Sequence, residues 1–338
     1  MVIASRAGRI GGRFVGRSTA AAGLALVLLT ACGSGDSSDA PSAGTFAAGG
    51  QVDLEVVASF YPLQFVAERV GGDQVSVTNL TPAGAEPHDL ELTPSDTAVL
   101  QDADLVVFLA GFSDALDQAI DVVAGDHALD VAPDASLEIH GADDEHSEEH
   151  PQDQHAEQHE DEHDGGVDPH FWLDPIRLAD VADAVAIRFG ELDADHAEVY
   201  TANSKELRAE LEALDEEFQS ALADCASTDI VTSHTAFGYL AERYGMTQVG
   251  ISGLSPDEEP SPERLAEIAR FVEQHDVSTI YYETLIDPAI AETIAAETGA
   301  VTAVLDPIEG LTDESAGGDY FGVMRSNLAT LGIGQGCT

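Results

Sequence analysis

The chain has 338 residues, 63 acidic against 13 basic side chains, and a formal charge of −50. With 44% hydrophobic residues it can bury a core, and its length fits about two domains of ordinary size, which argues against a disordered acidic chain. A surface this negative repels phosphate backbones and anionic headgroups, so nucleic acid and electrostatic docking on a membrane are poor partners and cations are good ones.

Four of the bases, Arg6, Arg9, Arg13 and Arg17, precede residue 20, where no acid occurs. They lead into the apolar run Ala20 to Thr30, which has the length of a signal-peptide core and is too short to span a bilayer. Leu29-Thr30-Ala31-Cys32 has the form of a lipobox. Residues 1–31 are therefore expected to be removed and Cys32 to carry a lipid anchor on the extracytoplasmic face of the cell membrane. Residues 32–51 then serve as a flexible tether. In an exported chain the remaining cysteines, Cys225 and Cys337, suggest a disulfide, with two free buried thiols as the alternative.

From residue 52 onward strand and helix patterns alternate. Strands are expected over 52–60, 74–80 and 104–111 and helices over 61–72 and 95–103, the second with Ser95 as a possible N-cap. A second set follows, with strands near 227–234, 246–252, 277–283 and 300–306 and helices near 236–245, 261–275 and 287–299. Alternation of this kind reads as parallel βαβ units. Between the sets, 194–223 carries Val199, Leu207, Leu211, Leu214, Phe218 and Leu222 at helical spacing. The expected architecture is α/β: two Rossmann-like lobes with mostly parallel sheets, 52–190 and 227–338, joined by one long rigid helix that restricts closure.

Residues 134–168 stand apart, with fourteen acids, no Lys or Arg, and His140, His146, His150, His155, His159 and His163. Such a segment lacks the apolar surface to bury itself and reads as a disordered insert. The four-residue spacing of several histidines would bring them onto one face of a transient helix, where they could collect a metal weakly; a solvated linker is the plainer reading.

Four candidate ligands have sharper contexts: His88 in PHDLELTPSD, His170 in DPHFWLDP, His234 in SHTAFGYLAERYG and Asp306 in AVTAVLDPIEG. Three follow expected strands, and ligands of open α/β sheets bind beyond the carboxyl ends of the strands, so the set is expected to meet in the cleft. Three imidazoles and a carboxylate suit zinc better than oxygen-preferring manganese or calcium. Glu283 is a competing carboxylate, and a lone histidine after a strand is more often a packing residue. His127, His196 and His275 read as surface residues at element ends.

These blocks, with the closing YFGVMRSNL, resemble the signature segments of the metal-binding substrate-binding proteins of bacterial ABC transporters, the zinc/manganese group, in order over about 53–331. The resemblance implies two α/β lobes, a bridging helix and a metal held between them at His88, His170, His234 and Asp306. Histidine at the third position and a His-rich insert before the second ligand are marks of its zinc branch. PHDLEL departs from the usual aromatic and second proline after the first histidine. The implied function is an extracytoplasmic, lipid-anchored, monomeric receptor that captures Zn2+ and delivers it to an ABC permease driven by a cytoplasmic ATPase. A manganese receptor of the same group, a surface adhesin and a zinc hydrolase are the alternatives. No G-x-x-x-x-G-K-[ST] segment occurs, which speaks against ATP hydrolysis by this chain.

Overall fold

The computed structural model of the chain describes residues 54–140, 167–256, 258–312 and 315–338. The expectations for Cys32, the tether and His146, His150, His155, His159 and His163 lie outside the described residues.

Short apolar runs form two parallel sheets. In the first, β1 (Leu54–Ala58) lies between β2 (Val75–Asn79) and β3 (Leu105–Phe108), and β4 (Ala128–Asp130) closes the far side. Val56 is flanked by Val77 on one neighbour and Leu105 on the other. The second sheet repeats this order with β5 (Asp229–Thr232) between β6 (Thr247–Gly250) and β7 (Thr279–Tyr282), and β8 (Val301–Val304) beyond β7. All six pairings are parallel. Parallel strands need crossover helices that cover the sheet faces, which is why all four residues of β3 are buried. In each sheet the crossovers leave the first strand in opposite directions, and that switch point opens a crevice at the carboxyl ends of the strands.

The helices of the first lobe are α1 (Tyr61–Gly71), α2 (Pro94–Asp102), α3 (Asp114–Val123) and the single turn α4 (Ala132–Ala135). The N-cap of α2 is Thr93, not Ser95. Its hydroxyl accepts from the Asp96 amide while the Asp96 carboxylate accepts from the Thr93 amide, and Pro94 takes the first helical position, where no N–H is needed. In the second lobe α7 (Gly238–Tyr244), α8 (Pro262–Gln274), α9 (Ala289–Thr298) and α10 (Tyr320–Gly334) play the same part.

The stretch expected as one long helix contains α6 (Ala197–Ala221), and α6 has a partner. α5 (Pro175–Leu192) starts at Asp174, whose carboxylate accepts from the Ile176 amide at 2.8 Å, and it packs on α6 and α1. Together α1, α5, α6, α7 and α10 contribute to one apolar core that also takes in β1 and β3, so the same core runs through both lobes. Two smaller clusters fill the outer sides of the sheets. Separating the lobes would break the shared core, which is close-packed and not freely deformable.

A disulfide joins Cys225, just after α6, to Cys337 after α10, closing a segment of 112 residues. Loop entropy assigns such a tie roughly 3–5 kcal/mol. Beside it Gln335 donates to the carbonyls of Ser227 and Asp229, which fastens the C-terminus to the second lobe.

A polar clamp holds α6 to α7. The Asp215 carboxylate accepts from Arg243 at 2.6 and 2.7 Å, from the Tyr244 hydroxyl at 3.0 Å and from Gln219 at 2.8 Å. Burial by itself raises the Asp215 carboxyl, but Arg243, Tyr244 and Gln219 outweigh it and hold the group below its ordinary value. Because the folded value is the lower one, the stabilisation is complete above the unfolded value of about 4 and is lost as pH falls through the folded value. Asp215→Asn is therefore expected to cost about 2 kcal/mol at pH 7 and much less in strong acid. Urea unfolding at pH 7 and pH 3 checks this; a variant as stable as the parent at pH 7 contradicts it.

Candidate metal centre

His88 lies in the loop that leaves β2, His234 in the loop between β5 and α7, and His170 just before the 3-10 turn Phe171–Leu173 that leads into α5. The loop after β8 supplies Glu309. These four offer ligand atoms that all lie within 4.8 Å of one another. One Glu309 oxygen, Oε1, is 3.5 Å from His88 Nε2, 3.2 Å from His170 Nε2 and 3.3 Å from His234 Nε2, and the last two nitrogens are 3.4 Å apart. A tetrahedron with zinc–ligand bonds of 2.0–2.1 Å has edges of about 3.3 Å. Four edges of the cluster match that figure.

The rings are oriented by their other nitrogens. His170 Nδ1 donates to Asp168 Oδ1 at 2.7 Å, and His234 Nδ1 donates to Glu283 Oε1 at 2.8 Å. A carboxylate only accepts, so each Nδ1 carries hydrogen and each Nε2 lone pair is directed into the cluster. His88 is placed by packing, its ring 4.4 Å from that of Phe112 and 5.4 Å from that of His170. Trp172 packs beside His170 and donates its indole N–H to the Pro307 carbonyl, two residues before Glu309.

Burial sharpens the electrostatics. His170, His234 and Glu309 are buried, and neither Glu309 oxygen nor His88 Nε2 has a hydrogen-bond partner among the described residues. Orphaned buried polar atoms cost free energy unless a ligand satisfies them. Burial would raise the Glu309 carboxyl, but the facing imidazoles outweigh it and hold the group well below the usual range. Burial would lower His234, yet Glu283 and Glu309 raise it well above its ordinary value; Asp168 and Glu309 raise His170 against the same opposition. His88 is lowered, chiefly by burial. Glu86 accepts the His88 amide, and burial reinforced by Glu309 pushes its carboxyl up to about 9.

Asp306 is not in the cluster, and its place is taken by Glu309. The Asp306 carboxylate is used locally: Oδ1 accepts from the Ile308 amide at 2.8 Å and Oδ2 from the Thr284 hydroxyl at 3.3 Å. Asn327 of α10 accepts from the Asp306 amide and donates to its carbonyl. This turn carries Ile308 through φ 61°, a region that costs a β-branched residue of order 1–3 kcal/mol, and so points the next side chain, Glu309, at the histidines. Sequence reasoning missed Glu309, although DPIEG holds it three residues beyond Asp306. Glu283, read as a competing carboxylate, orients His234 instead. Asp168, two residues before His170, is not among the expected site residues, and it orients that ring. His140 lies outside the cluster and reaches Asp168 from the other side. His127, His196 and His275 sit at element ends and contact Leu100, Asp193 and Asp229.

A cavity of about 800 Å³ lies over the cluster, with His88, Phe112, Pro169 and Leu254 among its lining residues, so the centre faces the cleft between the lobes. Two parallel α/β lobes on a shared core, with three inward-directed imidazoles and a carboxylate between them, define a solute-binding protein whose solute is a borderline divalent cation.

Residues 56–333 match the family described as "Zinc-uptake complex component A periplasmic". The chain is 38% identical over 282 residues to the high-affinity zinc uptake system protein ZnuA of Bacillus subtilis, covering 82% of this chain and 86% of that one. Among solved structures it resembles the laminin-binding protein Lmb of Streptococcus agalactiae, described as a bifunctional protein with adhesin and metal transporting activity, at 32% identity and a TM-score of 0.71 over 83% of this chain and 99% of that one. Zn(II)-bound AdcA of Streptococcus pneumoniae is similar at 31% identity and a TM-score of 0.68 over 84% of this chain and 58% of that one. The chain belongs to the zinc-uptake complex component A family: it is an extracytoplasmic zinc-binding receptor of a zinc-uptake system and not an enzyme.

Proposed function

We propose that His88, His170, His234 and Glu309 are the four ligands that hold Zn2+ during capture, and that the chain then delivers the ion to an ABC permease powered from the cytoplasm. The observation that carries the ligand set is the four edges of 3.2 to 3.5 Å that join Glu309 Oε1 to the three Nε2 atoms and His170 Nε2 to His234 Nε2. A closed four-ligand shell suits capture, whereas a hydrolytic zinc keeps an open position for water. Neutral imidazoles also favour zinc over manganese. Asp168 and Glu283 position the second and third ligands, and Trp172 buttresses the loop that carries the fourth. Cys32 serves as the lipid anchor, a reading that rests on the lipobox in the sequence, and the receptor works as a monomer, as the family resemblance implies.

Competitive titration of the mature chain against a chromophoric chelator, with zinc and then manganese, tests the reading. Tight zinc binding in the cleft with manganese weaker by about a hundredfold or more is expected. Comparable affinity for manganese would overturn it.

A further inference from the structure

Asp168 has a second oxygen, and it organises a second group of ligands. While Oδ1 accepts from His170, Oδ2 accepts from His140 Nδ1 at 3.0 Å. One buried carboxylate thus treats two imidazoles alike, holding hydrogen on each Nδ1 and turning each Nε2 away from itself. In His170 that nitrogen faces the cleft cluster. In His140 it faces Glu242 Oε2 at 3.1 Å, and ligand atoms of Glu138, His140 and Glu242 lie within 4.8 Å of one another.

The group is built from both lobes. Glu138 and His140 come from the segment after α4, and Glu242 from α7. Tyr239 pins the junction: its hydroxyl accepts from the Glu138 amide at 2.7 Å and donates to the Asp168 carbonyl at 2.8 Å, and the His140 ring stands edge-on to its ring with centroids 4.3 Å apart. Arg177 pairs with Glu138 and lies over the face of Tyr239. Three carboxylates, Glu138, Glu242 and Asp168, meet one guanidinium, leaving about two negative charges, the complement of a divalent ion. Glu138 and Glu242 are exposed, so an ion can reach the group from solvent. A solvated acidic surface needs none of this fixed geometry, and exposed pairs alone are worth little.

We infer that Glu138, His140 and Glu242 form a second zinc site that bridges the two lobes beside the cleft. One imidazole and two carboxylates bind the ion and water completes the shell, a three-ligand arrangement zinc accepts. Being open and short of a fourth protein ligand, it binds more weakly and exchanges faster than the cleft. An ion there replaces the proton at His140 Nε2 and leaves Nδ1–H on Asp168, so its occupancy bears on the carboxylate that orients His170. The site stands independently of the ligand set proposed for the cleft.

The test uses the full mature chain with His146, His150, His155, His159 and His163 replaced by Ser, so that insert histidines do not contribute, and counts zinc per chain after equilibrium dialysis. Two zinc ions are expected in this parent and one after Glu242→Ala or His140→Ala. Glu242→Ala should weaken the second site by at least about tenfold while moving the chelator-competed cleft affinity by less than about threefold. On a His234→Ala background, which removes the cleft, one weak zinc should remain and should raise the melting temperature, and Glu242→Ala should abolish both effects. A count unchanged by Glu242→Ala and His140→Ala, or no zinc-dependent stabilisation on the His234→Ala background, overturns the site whatever happens in the cleft.

Discussion

Glu309→Gln is expected to weaken zinc binding by about a hundredfold or more, roughly 3 kcal/mol, while Asp306→Asn stays within about tenfold of the parent. The amide removes the only negative charge among the four clustered ligands and leaves three imidazoles around a poor donor. Asparagine at 306, by contrast, keeps an oxygen that accepts the Ile308 amide, so the turn that presents Glu309 persists. Chelator competition on both variants decides between the carboxylates. If Asp306→Asn lost as much affinity as Glu309→Gln, the buried aspartate would return as a ligand and the turn would have to rearrange on loading.

Trp172→Ala is expected to have the largest effect on the fold, about 4 kcal/mol, the range measured when a fully buried large aromatic side chain is truncated. Trp172 is fully buried against Phe60, Phe112 and Phe171, and its indole holds the Pro307 carbonyl. Removal opens a cavity between the first sheet and α5 and strands that carbonyl, so zinc affinity should fall together with stability. Denaturant unfolding of the zinc-free protein measures the first effect and chelator competition the second. A loss under about 1 kcal/mol would mean that the aromatic cluster collapses around the gap and is not the buttress described above.

Much of the fold is legible in the sequence because it is local. LVVF shows itself as a continuous apolar stretch because it is buried on both faces, while LEVVA and VSVTN, broken by Glu55 and by Ser76 and Thr78, are marked by their β-branched residues and by the helix patterns on either side. The expected elements do not include α5, although PIRLADVADAVAIRFGEL is amphipathic and starts at an aspartate cap; its role in the shared core appears only where it packs on α6 and α1. The N-cap of α2 moved two residues because Pro94 fits the first helical turn better than it fits the extended approach to one.

The site divides along the same line. Each histidine follows a strand or stands in a short motif, so its place at the mouth of the sheets can be read locally. The carboxylate cannot be read that way. Asp306 and Glu309 lie three residues apart, and which of them meets the histidines depends on Asn327 from α10, the left-handed backbone at Ile308 and the indole of Trp172, all brought in by folding. Asp168 likewise gains its second imidazole only when the segment after α4 folds beside it.

By itself the sequence determined the chemical class: the excess of acid, three histidines at strand ends and two sets of βαβ elements specify an α/β receptor for a cation, because periodicity and residue chemistry are properties of short stretches. Tertiary structure alone decided which carboxylate faces Nε2 of His88, His170 and His234, because distances of 3.2 to 3.5 Å between groups far apart in the chain are set by packing.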